Sequence, residues 1–143
     1  MEPRISIITL GVDDLPRAIR FYRDGLGFAT SAQDDANIAF FETAGARLAL
    51  YPCDELAKDV SPDLPSSREG FSAVTLAHVA RSREEVDAIL AQAVRAGGSL
   101  AKPAQEVFWG GYSGYFADPD GHLWEVASWE GWQFNPDGSL VIE

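Results

Sequence analysis

The stretch Phe116-Ala-Asp-Pro-Asp-Gly-His-Leu-Trp-Glu-Val126 reads as strand, tight turn, strand. Asp118-Pro119-Asp120-Gly121 carries the chemistry of the turn: a proline that presets φ, short acids that accept from nearby backbone N–H groups, and a glycine free to take positive φ. The flanks at 114–117 and 122–129 therefore form a hairpin. Upstream, 100–105 reads as a further strand. Before it, Val86, Ile89, Leu90, Ala93 and Val94 recur at helical spacing. Ser82 opens that helix, Glu85 completes a capping box, and Gly97-Gly98 closes it. Residues 71–79 read as the strand ahead of the helix. Residues 70–129 thus run strand, helix, strand, strand, strand.

The same order occurs upstream. A strand over 5–12 is rich in β-branched residues. Asp14 caps a helix with Pro16 in its first turn, and Leu15, Ala18, Ile19, Tyr22 and Leu26 mark its apolar face. Gly25 or Gly27 stops it. Strands are expected over 28–33, 38–43 and 47–51, separated by Asp34-Asp35 and Ala44-Gly45. Residues 52–69 hold three of the eight prolines and no periodicity, so they read as a linker. The chain is then one domain of two modules, 1–51 and 70–129, with an extension over 130–143. Trp132, Phe134 and Pro136-Asp137-Gly138 make that extension a turn or an edge strand. An internal repeat means that each copy has a face it cannot bury alone, so the two sheets are expected to share a concave surface.

Composition bounds the function. The chain has 143 residues, 46% of them apolar and 23% charged, the profile of one ordinary globular domain. Eleven Lys and Arg face 22 Asp and Glu, a formal net charge of −11. That balance argues against nucleic acid or an anionic membrane surface as partner, because phosphate binding needs clustered cations. A single cysteine, Cys53, allows no internal disulfide and favours a cytoplasmic setting. No apolar run is long enough to span a bilayer, and the opening Met-Glu-Pro-Arg has no secretory character.

Four stretches together resemble the vicinal oxygen chelate superfamily, which holds glyoxalase I, bleomycin-resistance proteins, fosfomycin-resistance enzymes and extradiol dioxygenases. They are Ile8-Thr-Leu-Gly-Val-Asp-Asp-Leu15, Phe21-Tyr-Arg-Asp-Gly-Leu-Gly-Phe28, the 70–79 strand with its helix, and the 116–126 hairpin. The resemblance implies an α+β fold of two βαβββ modules whose sheets form a half-open, curled barrel with the ligand inside. It also implies, for catalytic members, a divalent metal held by a His or Gln on a first strand and a Glu on a last strand. The positions that match are Ile7 and Val74 for the first-strand ligands, and Glu125 for the carboxylate. Two of the three are hydrocarbon, and the strand at 47–51 has no carboxylate. No cofactor is therefore expected, although a divalent metal completed by other donors stays open as an alternative.

Glu125 is expected to face the cavity as a base or a ligand anchor; the plainer reading is a satisfied structural acid. His78 shares strand parity with Val74 and Leu76 and is a candidate partner for Glu125; otherwise it is a strand-end histidine near Ser82. His122, three residues before Glu125, reads as a turn residue. The segment 108–116 packs five aromatics among three glycines. The resemblance aims Tyr115 at a ligand, and Trp109 and Tyr112 are expected at the cavity mouth; the alternative is ordinary aromatic packing. Cys53 reads as an inert thiol, and Arg17, Arg20 and Arg23 as a solvated helix face.

The expected function is metal-free binding of a small aromatic or planar ligand, by a homodimer. The alternative is a metal-dependent lyase, isomerase or dioxygenase of the glyoxalase I type that uses Glu125. A third possibility is a filled cavity and a scaffold role.

Overall fold

In the first half of the chain a parallel strand pair needs a crossover, and a helix supplies it. β1 (Ile7–Val12) lies parallel to β3 (Arg47–Pro52), and β2 (Ala39–Phe41) pairs antiparallel with β3, giving the order β1-β3-β2. The crossover is α1 (Leu15–Arg20), which continues into a π turn over Phe21–Gly25. Asp14 caps it as expected: its Oδ1 accepts from the Arg17 N–H at 2.9 Å. Leu10, Val12, Ala39, Phe41, Leu48 and Leu50 are buried on one sheet face, with Leu15, Ala18, Ile19, Phe21 and Tyr22. Ile7 and Phe40, on the other face, are half exposed.

The computed structural model describes residues 1–67 and 69–141. It divides the chain into two compact units, Met1–Ala73 and Val74–Glu143. Two expectations fail in the first unit. The strand expected at 28–33 reduces to one bridge, Ala29 to Glu42. Side chains replace the ladder there: the Thr30 hydroxyl donates to the Phe40 carbonyl at 2.6 Å and accepts from the Ala32 N–H at 3.1 Å. Arg20 and Arg23 also bind Asp34, at 2.9 and 3.0 Å, so these arginines tether the loop and are not a bare solvated face. The second failure is the linker, which holds α2 (Cys53–Val60). Asp54 and Glu55 in its first turn and a Lys58–Glu55 pair at 2.8 Å support this short helix. A β-carbon on Gly11 would stand 3.0 Å from Cys53 Sγ, so glycine is what lets α2 approach β1.

The second unit keeps the predicted order. β4 (Leu76–Val79), α3 (Arg83–Arg95), β5 (Ser99–Glu106), β6 (Tyr112–Ala117) and β7 (Leu123–Ser128) form a sheet in the order β4-β7-β6-β5. β4 runs parallel to β7 and the other pairs are antiparallel. The first of these strands is shorter than the expected 71–79, because Ala73 takes a φ of 60°, which interrupts extended backbone. Half of the expected capping box forms: Ser82 Oγ accepts from the Glu85 N–H at 3.1 Å, while the Glu85 carboxylate reaches one residue further back and accepts from the Arg81 N–H at 2.6 Å. In the Asp118–Gly121 turn, Asp118 Oδ1 accepts from the Asp120 and His122 N–H groups, both at 2.9 Å. The extension forms a hairpin of β8 (Gln133–Phe134) and β9 (Leu140–Val141). Residue 68 of the expected linker and residues 142–143 of the extension lie outside the described residues. The chain is α+β, each unit an open sheet with a helix packed on one face.

Candidate functional site

Glu125 sits in the middle of β7, and its register partners are Tyr115 on β6 and Ala77 on β4. Register partners share a face, so these three look the same way, together with Ser113 and Ala127. The alternate residues Gly114, Phe116, Trp124 and Val126 look towards α3. Phe116 stacks on Trp124 with ring centroids 6.0 Å apart, and the Gly114 backbone lies against Leu90 of α3. The Glu125 face is therefore the one that the helix leaves open.

Glu125 is half-buried and held by one hydroxyl. Buried Ser113 donates from Oγ to Glu125 Oε1 at 2.7 Å, and Tyr115 is the register partner of Glu125 on the same face. Burial pushes the Tyr115 phenol above the ordinary tyrosine range, and the negative charge of Glu125 adds to the shift. Tyr115 is thus neutral at physiological pH. The ensemble is a carboxylate with fixed orientation beside one aromatic ring.

The other expected site residues go elsewhere. His78 pairs with Val126, not with Glu125, and is exposed. The parallel register of β4 on β7 sets Ala77 beside the acid, so His78 falls on the α3 side and cannot act with Glu125 on the open face. Tyr112 also points to the α3 side: its hydroxyl donates to Asp87 Oδ1 at 2.8 Å, and Arg83 stacks 5.3 Å from its ring. Trp109 packs on Trp132, with centroids 5.5 Å apart, and covers Gly111. Neither aromatic therefore lies around Glu125: Trp109 packs against Trp132, and Tyr112 lines a separate hollow at the start of α3. Val74 is exposed ahead of β4, and Ile7 belongs to the first unit, paired with Arg47. His122 is a turn residue, as expected. Cys53 caps no site; its Sγ meets the Ser66 carbonyl at 3.4 Å. Ser113 was not singled out in the sequence, although its spacing of two from Tyr115 puts it on the same face.

Two hollows in the second unit lack Glu125. One, of about 380 Å³, opens at the start of α3 between Arg81, Arg83, Tyr112, Trp129 and Glu130. The other, of about 520 Å³, is an apolar groove between α3 and β5 that includes Leu90, Val94, Leu100 and Pro103. The first places Glu84 and Glu130 among its arginines, which leaves it without a charge preference. The chemistry of the unit stays with Glu125.

A model of the Glyoxalase/Bleomycin resistance protein/Dioxygenase superfamily matches residues 4–126. The chain belongs to that superfamily. A glyoxalase-related enzyme from Fulvimarina pelagi is 36% identical, with 98% of each chain covered and a TM-score of 0.86. A superfamily protein from Nocardioides is 27% identical, over 92% of this chain and 86% of that one, with a TM-score of 0.71. A lactoylglutathione lyase from Agrobacterium tumefaciens is 25% identical, over 94% of this chain and all 100% of that one, with a TM-score of 0.67. None of the curated proteins matches the chain.

Metal-using members of the superfamily need a set of donors that this chain does not supply at the matching positions. Ile7 and Val74 are hydrocarbon, and Glu125 is already engaged by the Ser113 hydroxyl. Among the described residues no three His, Cys, Asp or Glu gather where they would hold an ion. These residues do not fit a divalent metal, for which three or four donors are the rule.

Proposed function

We propose that this protein is a metal-free binding member of the superfamily, taking a small aromatic or planar ligand on the sheet face that carries Glu125, Tyr115 and Ser113. The observation that carries the reading is the carboxylate oriented by Ser113 Oγ beside its register partner Tyr115, on the face away from α3. A flat ring and one fixed acceptor match the usual make-up of a small-molecule site, where apolar surface gives area and a few polar groups give orientation. The missing donors at Ile7 and Val74 support binding without a Lewis acid.

The test is a thermal-shift screen of the native and Glu125→Gln proteins against planar aromatic compounds, catechols, 2-oxoaldehyde–thiol adducts and divalent metals. Planar aromatics are expected to raise Tm in the native protein, and for those that carry an N–H or O–H donor the rise is expected to be cut by at least half in Glu125→Gln. Stoichiometric zinc, nickel, iron or manganese in protein purified without chelator would instead favour the lyase, isomerase or dioxygenase reading.

The proposal includes a homodimer, supported by large exposed apolar side chains such as Phe40, Phe71 and Ile7; sedimentation velocity tests it. It includes a cytoplasmic setting, for which the lone cysteine is the argument. No helix among the described residues is long and apolar enough to cross a membrane.

A further inference from the structure

Among the described residues the Glu125 carboxylate has one hydrogen-bond partner, the uncharged Ser113 hydroxyl, and no cationic one. The neutral Tyr115 phenol lies beside it as its register partner. No ion pair among the described residues includes Glu125. Its neighbours across the strands are Ala77 and Tyr115, and Ala127 follows two residues on along β7. The cation nearest in register is Lys102 on β5, one strand beyond Tyr115; it is exposed and enters no ion pair among the described residues. A half-buried carboxylate with no counter-charge among the described residues is a ready acceptor for a ligand that brings a cationic donor.

The chemistry then selects. A carboxylate accepts and does not donate, and the one Ser113 hydroxyl leaves much of its lone-pair capacity free for an N–H ligand. The bond to a charged donor is shorter and stronger than one to a neutral donor. The Tyr115 ring beside it adds a flat surface that favours a delocalised cation. Anionic ligands meet the same acid and a chain of net charge −11. From this geometry we infer that the ligand is a planar organic cation with at least one N–H group, such as a protonated amino-heterocycle or an aryl amidine, and that Glu125 sets this preference. The inference rests on the proposed binding face and names what that face takes.

A matched pair of rings tests it. 9-Aminoacridine is a ring cation at pH 7, and acridine is a neutral ring of the same outline. Each is titrated by fluorescence into the native protein, into Glu125→Gln and into Asp59→Asn, which removes one exposed charge in α2. The expected result is about tenfold tighter binding of 9-aminoacridine by the native protein, the size of one charge-assisted hydrogen bond. Glu125→Gln is expected to bring the ratio close to one while acridine affinity holds, and Asp59→Asn to leave the ratio unchanged. Equal binding of the two rings by the native protein overturns the charge preference and leaves the binding face standing. A ratio that falls equally in both variants assigns the effect to bulk charge and overturns the role of Glu125. Failure of both rings to bind overturns the inference together with the reading it rests on. The native comparison needs no variant, so a folding defect in Glu125→Gln does not remove the test.

Discussion

Tyr115 reports on Glu125 directly, because the two are register partners on one sheet face. Burial is the first cause that raises the phenol in the fold, and the Glu125 charge the second. Glu125→Gln removes the charge but leaves burial in place. An alkaline absorbance titration should therefore show the Tyr115 transition moving down only part of the way towards the ordinary value of 10.0. A return all the way would make the carboxylate and not burial the dominant cause. The sign for stability follows from the same shift. The folded value lies above the unfolded one, so the contribution of Tyr115 is complete below pH about 10 and fades as pH climbs towards the folded value. Glu125 and Tyr115 were legible in the sequence because a motif and a two-residue alternation fix their face. The placement of His78 was not, because it depends on how β4 registers against β7, and a one-residue offset turns every side chain over.

Among the elements, the seat of α3 on the sheet depends on one missing side chain. A β-carbon on Gly114 would stand 2.7 Å from Leu90 Cδ1, 2.9 Å from the Ala104 amide nitrogen and 3.0 Å from its Cα. Leu90 can rotate, but the Ala104 backbone belongs to β5 and cannot give way alone. Gly114→Ala is expected to destabilise the protein by about 1–3 kcal/mol, the range for an overpacked core. Chemical denaturation measures it, and a change below a few tenths of a kcal/mol would mean that β5 slides freely on β6. The bulges between Leu100 and Gln105 already mark irregular pairing there. The helices α1 and α3 were readable because Asp14 and Ser82 announce them with side-chain caps. α2 was hidden because Pro52 gives it no side-chain cap and its residues are at most half-buried. The strand expected at 28–33 was a β-rich sequence whose hydrogen bonds went to the Thr30 hydroxyl instead. Local pattern announces an element with its own terminators; it is silent where tertiary partners decide.

For the chain as a whole, charge is the feature that acts on every residue at once. Ion pairs such as Arg23–Asp24 at 2.6 Å and Arg20–Asp34 at 2.9 Å are contacts at the surface. Pairs of this kind contribute little each. Against them stands the mutual repulsion of an excess of eleven negative charges, spread over separations of many ångströms. Salt treats the two differently. The Debye length is about 10 Å at 0.1 M, so charges farther apart than that stop repelling, while groups in contact keep most of their attraction. Raising NaCl from about 20 to about 200 mM at pH 7 should therefore stabilise the fold, with Tm rising by about 3 °C, or roughly 1 kcal/mol at this length. Differential scanning calorimetry reads it. A fall in Tm over the same range would mean that the Arg20, Arg23, Asp24 and Asp34 cluster outweighs the global field. The pH direction of that cluster is fixed by the same pairs. The hydrogen bond from Arg23 holds Asp24, and bonds from Arg20 and Arg23 hold Asp34, below the ordinary carboxylate value of 3.8. Their contribution is present above pH about 4 and is lost as pH falls through the lower folded values. The neutral-pH salt response is therefore read with the cluster fully charged, which makes it a fair comparison of local attraction against long-range repulsion.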